Sequence, residues 1–266
     1  MLPFPVVQIA CCAHCPDEEQ RARCILALLA LPLRAQIGEH RDDLAVGGGA
    51  GVTLSSVGFM PKVSQGLHVG PTFGVAARYV CEKYYTMVCS VLGEVNFASL
   101  GWKEDILDPH DDKVINSVTG KAEEYSRTIN YIQVPIFAHL AWGREVSGCN
   151  FFFQAGPQIG MYLGESTSKN FNFDNINLND RSNKTHEQYS MKVEKKFDYG
   201  IAGGLGMEYS HPRLGHFLLE GRYYYGLGNI YGATKRDYFG VSNFSAITIR
   251  LTYLLDLKTT KDAKRK

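Results

Sequence analysis

Hydrophobic and polar positions alternate over long stretches of this chain. In the stretch Phe217–Gly232, the side chains of Phe217, Leu219, Tyr223, Tyr225 and Leu227 share one parity, while Glu220, Arg222 and Tyr224 share the other. Successive side chains of a strand point to opposite faces, so this pattern predicts strands with one apolar and one polar face. Such segments are read at Leu44–Val57, Leu67–Val80, Thr86–Leu100, Arg127–Trp142, Asn150–Gly164, Phe197–Ser210, His216–Tyr231 and Phe244–Leu257, giving eight strands. Each runs to about 14 residues, against five or six in an ordinary soluble sheet, and none reads as an amphipathic helix.

The connections alternate in length. Gly58–Gly66, Gly101–Ser126, Glu165–Lys196 and Gly232–Asn243 are moderate to long, whereas Cys81–Tyr85, Gly143–Cys149 and His211–Gly215 are short. Long loops at one rim and tight turns at the other are the plan of a barrel that crosses an outer membrane. The two longest loops are polar: Lys103, Glu104, Asp105, Asp108, Asp111, Asp112 and Lys113 crowd the first, and Asn, Asp, Lys and Ser fill the second.

Sorting each strand by parity places Arg78, Glu94, Glu208, Glu220, Arg222 and Arg250 on one face, together with Gln133, His139, Gln154, Gln158 and Asp198. The opposite face carries Phe73, Val75, Ile136, Phe151, Phe153, Ile159, Leu205, Ile247 and Ile249. A soluble, lipocalin-like barrel hides the apolar face and shows the charges to water; a membrane barrel does the reverse. The polar face is poor in Lys and rich in Gly, Thr and Gln, unlike a solvated surface. Its three Arg match its three Glu, as a crowded interior requires. Aromatic residues gather near the strand ends, with Trp102, Tyr125, Tyr162, Tyr231 and Tyr238 at the long-loop rim and Tyr79, Tyr84, Tyr85, Trp142, Phe151 and Tyr209 at the other. That pattern is expected of membrane-interface belts. The expected fold is therefore all-β: an eight-stranded antiparallel up-and-down transmembrane β-barrel with a filled polar interior, plugged or nearly dry, in which Gly70, Gly74, Gly204 and Gly206 make room for larger side chains.

Composition changes this picture little. A formal net charge of +1 gives no basis for nucleic-acid binding. Near the start, Arg21 and Arg23 precede an apolar run Cys24–Leu33, with small-residue cleavage expected after Ala35. The expected organisation is an N-terminal extension plus signal peptide over 1–35, the barrel over 36–257 and a basic tail over 258–266. Cleavage would leave Cys81, Cys89 and Cys149; Cys81 and Cys89 flank a short connection and are read either as a disulfide or as two free thiols. Cys11, Cys12, His14 and Cys15 lack a second ligand pair at zinc spacing. "AVGGGAGVTL" lacks the Lys–Ser/Thr of a phosphate-binding loop, and there is no GxSxG elbow. No catalytic, metal-binding or cofactor-binding residue is expected, and His139 reads as a packed interior hydrogen-bonding residue.

"YIQVPIFAHLAW" followed by "NFFFQAGPQIGMYLG", then "FDYGIAGGLGMEY", "FLLEGRYYYGLGNI" and "ITIRLTYLLDL", resemble in order the PorT-like outer-membrane β-barrel family common in Bacteroidetes. The resemblance runs from about Val46 to Leu257 and implies an eight-stranded barrel in the outer membrane of a Gram-negative cell. One namesake branch takes part in protein secretion. Two departures are the N-terminal extension and a tail that leaves no terminal aromatic residue. The functional expectation is a non-enzymatic structural or interaction barrel, surrounded by outer-membrane lipid, whose long loops meet an envelope or secretion-system protein. The alternatives are a soluble periplasmic ligand binder, a small lipid-modifying enzyme and a narrow channel.

Overall fold

A computed structural model describes residues 38–116, 119–144, 147–172, 181–182, 187–232 and 238–260. The expected signal segment and residues 261–266 of the tail lie outside the described residues. The strands are β1 (Glu39–Met60), β2 (Gln65–Gly66), β3 (His68–Tyr84), β4 (Met87–Glu104), β5 (Tyr125–Gly143), β6 (Gly148–Lys169), β7 (Phe197–His211), β8 (Gly215–Gly226) and β9 (Val241–Lys258), with a 3₁₀ turn at Glu187–Tyr189. Every long strand pairs antiparallel with two neighbours, in the ring β1-β3-β4-β5-β6-β7-β8-β9, and β9 closes on β1 from Leu44↔Lys258 to Met60↔Val241. The two-residue β2 pairs only with the end of β4. Closure leaves no sheet edge among the long strands, as a structure in hydrocarbon requires. Among the described residues, no helix is long and apolar enough to cross a membrane.

The long strands have 12 to 22 residues, more than the nine to eleven that span a bilayer, so most project beyond it. Two prolines interrupt the ladder locally. The β4–β5 pairing skips from Gly93↔Ile136 to Asn96↔Gln133 beside Pro135, and the β5–β6 pairing skips from Pro135↔Gln158 to Ala138↔Ala155 beside Pro157; proline has no N–H to give a ladder.

Burial follows parity. Phe217, Leu219, Tyr223 and Tyr225 are exposed, whereas Glu220, Arg222 and Tyr224 are buried. Phe73, Val75, Ile136, Phe153, Leu205, Ile247 and Ile249 likewise point outward. A greasy exterior around a charged interior is the reverse of a soluble barrel.

Most strands run further than the sequence reading placed them, and two boundaries change the connections. The Cys81–Tyr85 connection shrinks to a two-residue turn, Tyr85–Thr86, because β3 runs on to Tyr84; Tyr85 takes a φ of 51° there. At the other rim β8 stops at Gly226 rather than at Tyr231. The N–H groups of Leu227 and Gly228 both donate to the Tyr199 carbonyl (2.8 and 3.2 Å), and the Asn229 side chain accepts from the Ser242 N–H, so the chain folds inward. "GLGNIY" keeps the alternation of a strand, but its glycines and Asn are turn residues. The basic tail also begins late: Lys258 closes β9, and the Asp42 N–H donates to Thr260 Oγ1 at 3.0 Å.

Candidate functional site

The lumen has three layers, two packed and one holding a cavity. In the middle layer, Arg222 grips Glu94 with both guanidinium nitrogens at 3.0 Å and donates to Glu220 at 2.7 Å. Arg250 reaches the same Glu94 at 3.3 Å, and Asn96 donates to it at 2.7 Å. Gln154 donates to Glu220, and the Arg222 guanidinium lies 4.4 Å from the centre of the Phe137 ring. All four charges are almost wholly buried. They come together because Glu220 stands opposite Arg250 in the β8–β9 register and Arg222 lies two residues further along the same face. Glycines open the space: a Cβ at Gly49 would stand 2.6 Å from Arg250 Nε, and one at Gly206 would stand 2.6 Å from the Phe152 ring.

The long-loop mouth is closed. Phe59, Trp102, Tyr231 and Phe239 pack ring on ring, with Phe59–Trp102 at 5.2 Å and Phe59–Phe239 at 4.8 Å. Arg127 is the latch. It binds Glu165 at 2.6 Å and the Tyr231 hydroxyl at 3.1 Å, and donates to the carbonyls of Gln188 and Met191 at 3.2 and 2.5 Å. It therefore ties the wall to the 170–196 loop. That loop is tied in turn to the 105–124 loop: the Ser182 N–H donates to the Leu107 carbonyl at 2.8 Å, Asn170 bridges Glu124 and Ala122, and Arg181 pairs with Glu123. Burial holds the hydroxyls of Tyr189 and Tyr231 protonated, well above the usual phenol range.

Among the described residues the short-turn mouth is open. A cavity of about 280 Å³ enters there, floored by Arg78, His139 and Glu208 and walled by Val80, Val88 and Ala141. Arg78 pairs with Glu208 at 2.8 Å. His216 bridges Glu208 (Nδ1, 2.6 Å) and Asp256 (Nε2, 3.1 Å). Ser210 lies 2.9 Å from His216 Nδ1, so a Ser, a His and an Asp stand in line. The chemistry of a nucleophilic triad does not follow. An imidazole that takes the Ser proton needs a free lone pair facing the hydroxyl. Here that nitrogen lies closer to the Glu208 carboxylate, the other faces Asp256, and Ser210 donates to Glu208 at 3.3 Å. His139 is enclosed, with Nδ1 3.1 Å from Ser90 and its ring 4.6 Å from that of Phe152. Among the described residues no group of His, Cys, Asp and Glu could hold a metal ion.

All six residues of the expected charge network thus lie inside, split between two layers: Glu94, Glu220, Arg222 and Arg250 in the middle, Arg78 and Glu208 above the open mouth. Gln133, His139, Gln154, Gln158 and Asp198 are buried with them, and Tyr224 donates to Asp198 at 2.7 Å. The lumen is not uniformly filled as expected, since the open mouth holds the cavity. The expected aromatic belt at the long-loop rim is corrected. Trp102, Tyr125 and Tyr231 are fully buried in the cap rather than facing lipid, while Tyr238 is exposed. At the other rim Tyr79, Tyr85, Trp142, Phe151 and Tyr209 are exposed as expected. Cys81 and Cys89 are free thiols, with Cys81 at the bulge between Val80↔Ser90 and Glu82↔Cys89. Sequence reasoning missed Arg127, although its parity with Gln133 and His139 marked it as interior. It also missed Arg181, which sits in a loop where no period exists to mark it.

The family model of the outer membrane protein β-barrel domain matches residues 34–232, most of the chain. The chain belongs to that family. It is an integral β-barrel of the outer membrane of a Gram-negative bacterium, and in such barrels long loops face outward and short turns face the periplasm. Three bacterial proteins of solved structure are among those to which the chain is similar. Ail, the attachment invasion locus protein of Yersinia pestis, is 14% identical over 82% of this chain and 99% of its own, with a TM-score of 0.34. Neisserial surface protein A is 11% identical over 79% and 96%, with a TM-score of 0.36. OprG of Pseudomonas aeruginosa is 12% identical over 82% and 98%, with a TM-score of 0.37. Among curated proteins none matches the chain.

Proposed function

We propose that this outer-membrane barrel is a non-conducting, non-enzymatic interaction protein that presents its long loops as a fixed outer surface. The observation that carries the reading is the Arg127 latch. A wall residue holds loop carbonyls and a cap hydroxyl at once, and the two longest loops are hydrogen-bonded to each other. A channel would need a continuous wet path, whereas the cap and the paired middle layer close the lumen. A lipid-modifying enzyme would need an activated nucleophile, and Ser210 faces an imidazole already held by two carboxylates. Apolar Ile115 and Tyr238 stand exposed on the otherwise polar loops, as contact residues of a partner would. The motifs shared with PorT-like barrels favour a partner in the envelope or a secretion system.

A photo-crosslinking residue at Ile115 in living cells is expected to give one discrete adduct, and the purified barrel in planar bilayers is expected to carry no stepwise current. Steady single-channel conductance would overturn the closed-lumen reading. Full envelope and secretion phenotypes after deletion of either long loop, in a barrel that still shows heat-modifiable gel migration, would overturn the interaction role.

A further inference from the structure

The periplasmic cavity has features that a structural filler does not need. Its carboxylates are committed: Glu208 accepts from Arg78, His216 and Ser210, Asp256 accepts from His216, and Asp43 accepts from the Thr260 N–H and lies 3.9 Å from Arg41. Arg78 is not. Its Nη1 binds Glu208, while Nη2 has no hydrogen-bond partner among the described residues and, unlike Nε, is not fully enclosed; the side chain keeps 7% exposure on the cavity floor. The lining is mixed: Ala45, Val80, Val88 and Ala141 give it an apolar wall, and Ser90, Asn150, His211 and Thr259 add uncharged polar groups.

We infer that the cavity is a binding site, open to the periplasm, for a small uncharged compound with one carbonyl oxygen and an aliphatic body, as in a neutral amide. The carbonyl accepts from Arg78 Nη2, and the body covers the Val and Ala walls. Charge accounting selects the neutral form. Arg78, Arg41 and a His216 that donates from both ring nitrogens already match Glu208, Asp43 and Asp256, so a ligand bearing either sign brings an unbalanced charge into a partly enclosed site. A cavity of about 150 Å³ takes one benzene, so the roughly twofold larger space here suits about a dozen non-hydrogen atoms. A ligand of that size with one good hydrogen bond binds in the range of roughly 0.1–1 mM.

The test is an NMR titration of the isotope-labelled, folded barrel in detergent, following the Arg78 Nε–H and the backbone signals of Val80, Val88 and Ala141. Three probes of nearly one shape are used: 3-cyclohexylpropanamide (neutral, one carbonyl), 3-cyclohexylpropanoate (carboxylate) and 3-cyclohexylpropylammonium (ammonium). The neutral probe is expected to give saturable shifts confined to the cavity, at least tenfold tighter than either charged probe. Arg78→Leu is expected to abolish them. Should that variant fail to fold, Ala141→Phe, which fills the cavity and leaves the Arg78–Glu208 pair in place, is expected to do the same. No saturable shift, tighter binding of a charged probe, or unchanged binding in Ala141→Phe overturns the assignment.

Discussion

Replacing Glu94 with glutamine is expected to be the most damaging single change in the lumen, worse than the same change at Glu220. Glu94 accepts four hydrogen bonds: two from Arg222 at 3.0 Å, one from Arg250 at 3.3 Å and one from Asn96 at 2.7 Å. Glu220 accepts from Arg222 at 2.7 Å and from Gln154. Without the Glu220 charge, Arg222 keeps its two-pronged grip on Glu94. Without the Glu94 charge, Arg222 keeps Glu220, but the fully buried Arg250 retains only its bond to Thr252 at 3.0 Å. Removing one partner of a buried pair costs about 3–5 kcal/mol. One weakened arginine at position 222 puts Glu220→Gln near the lower bound, about 3 kcal/mol, and two put Glu94→Gln near about 5 kcal/mol. Adding Arg250→Met to Glu94→Gln removes the stranded charge and is expected to recover about 1–3 kcal/mol. The assay is urea unfolding of vesicle-inserted protein, followed by the fluorescence of Trp102 and Trp142 and checked by gel migration before and after heating. The reasoning fails if Glu94→Gln lies within about 1 kcal/mol of the parent, if Glu220→Gln is the worse variant, or if the double variant is no more stable than Glu94→Gln alone.

Two further changes probe the rims. Arg127→Met removes every bond of the latch and is expected to loosen the loops, so that trypsin cuts faster at the exposed Lys121 and Lys192 while the β-strands stay protected; loop cleavage at the parent rate would mean that the latch holds nothing. At the periplasmic rim, oxidation of the purified barrel is expected to join Cys81 to Cys89, because the bulge sets both opposite one another and that compartment favours disulfides. Mass spectrometry after thiol alkylation should then find Cys149 labelled and Cys81 and Cys89 unlabelled, and labelling of all three of these after oxidation would refute the link.

The sequence by itself determined the strands and their two faces. A period of two is a local property, and a strand converts it directly into inside and outside, so Arg78, Glu94, Glu208, Glu220, Arg222 and Arg250 could be placed in the lumen from parity alone. The alternation of loop lengths likewise carried the up-and-down order. Only the tertiary structure decided which charges meet. Glu94 lies 128 residues from Arg222 and 156 from Arg250, and the ring of strands brings them together by a register that no local pattern encodes. It also decided the fate of Trp102, Tyr125 and Tyr231. At a strand end, parity no longer separates lipid from interior, because the chain can turn inward, as it does from Gly226 to Tyr231. For the same reason the cap and the cavity were invisible in the sequence: both arise where strands stop, and what fills such a space depends on loops folding over the mouth rather than on any repeat along the chain.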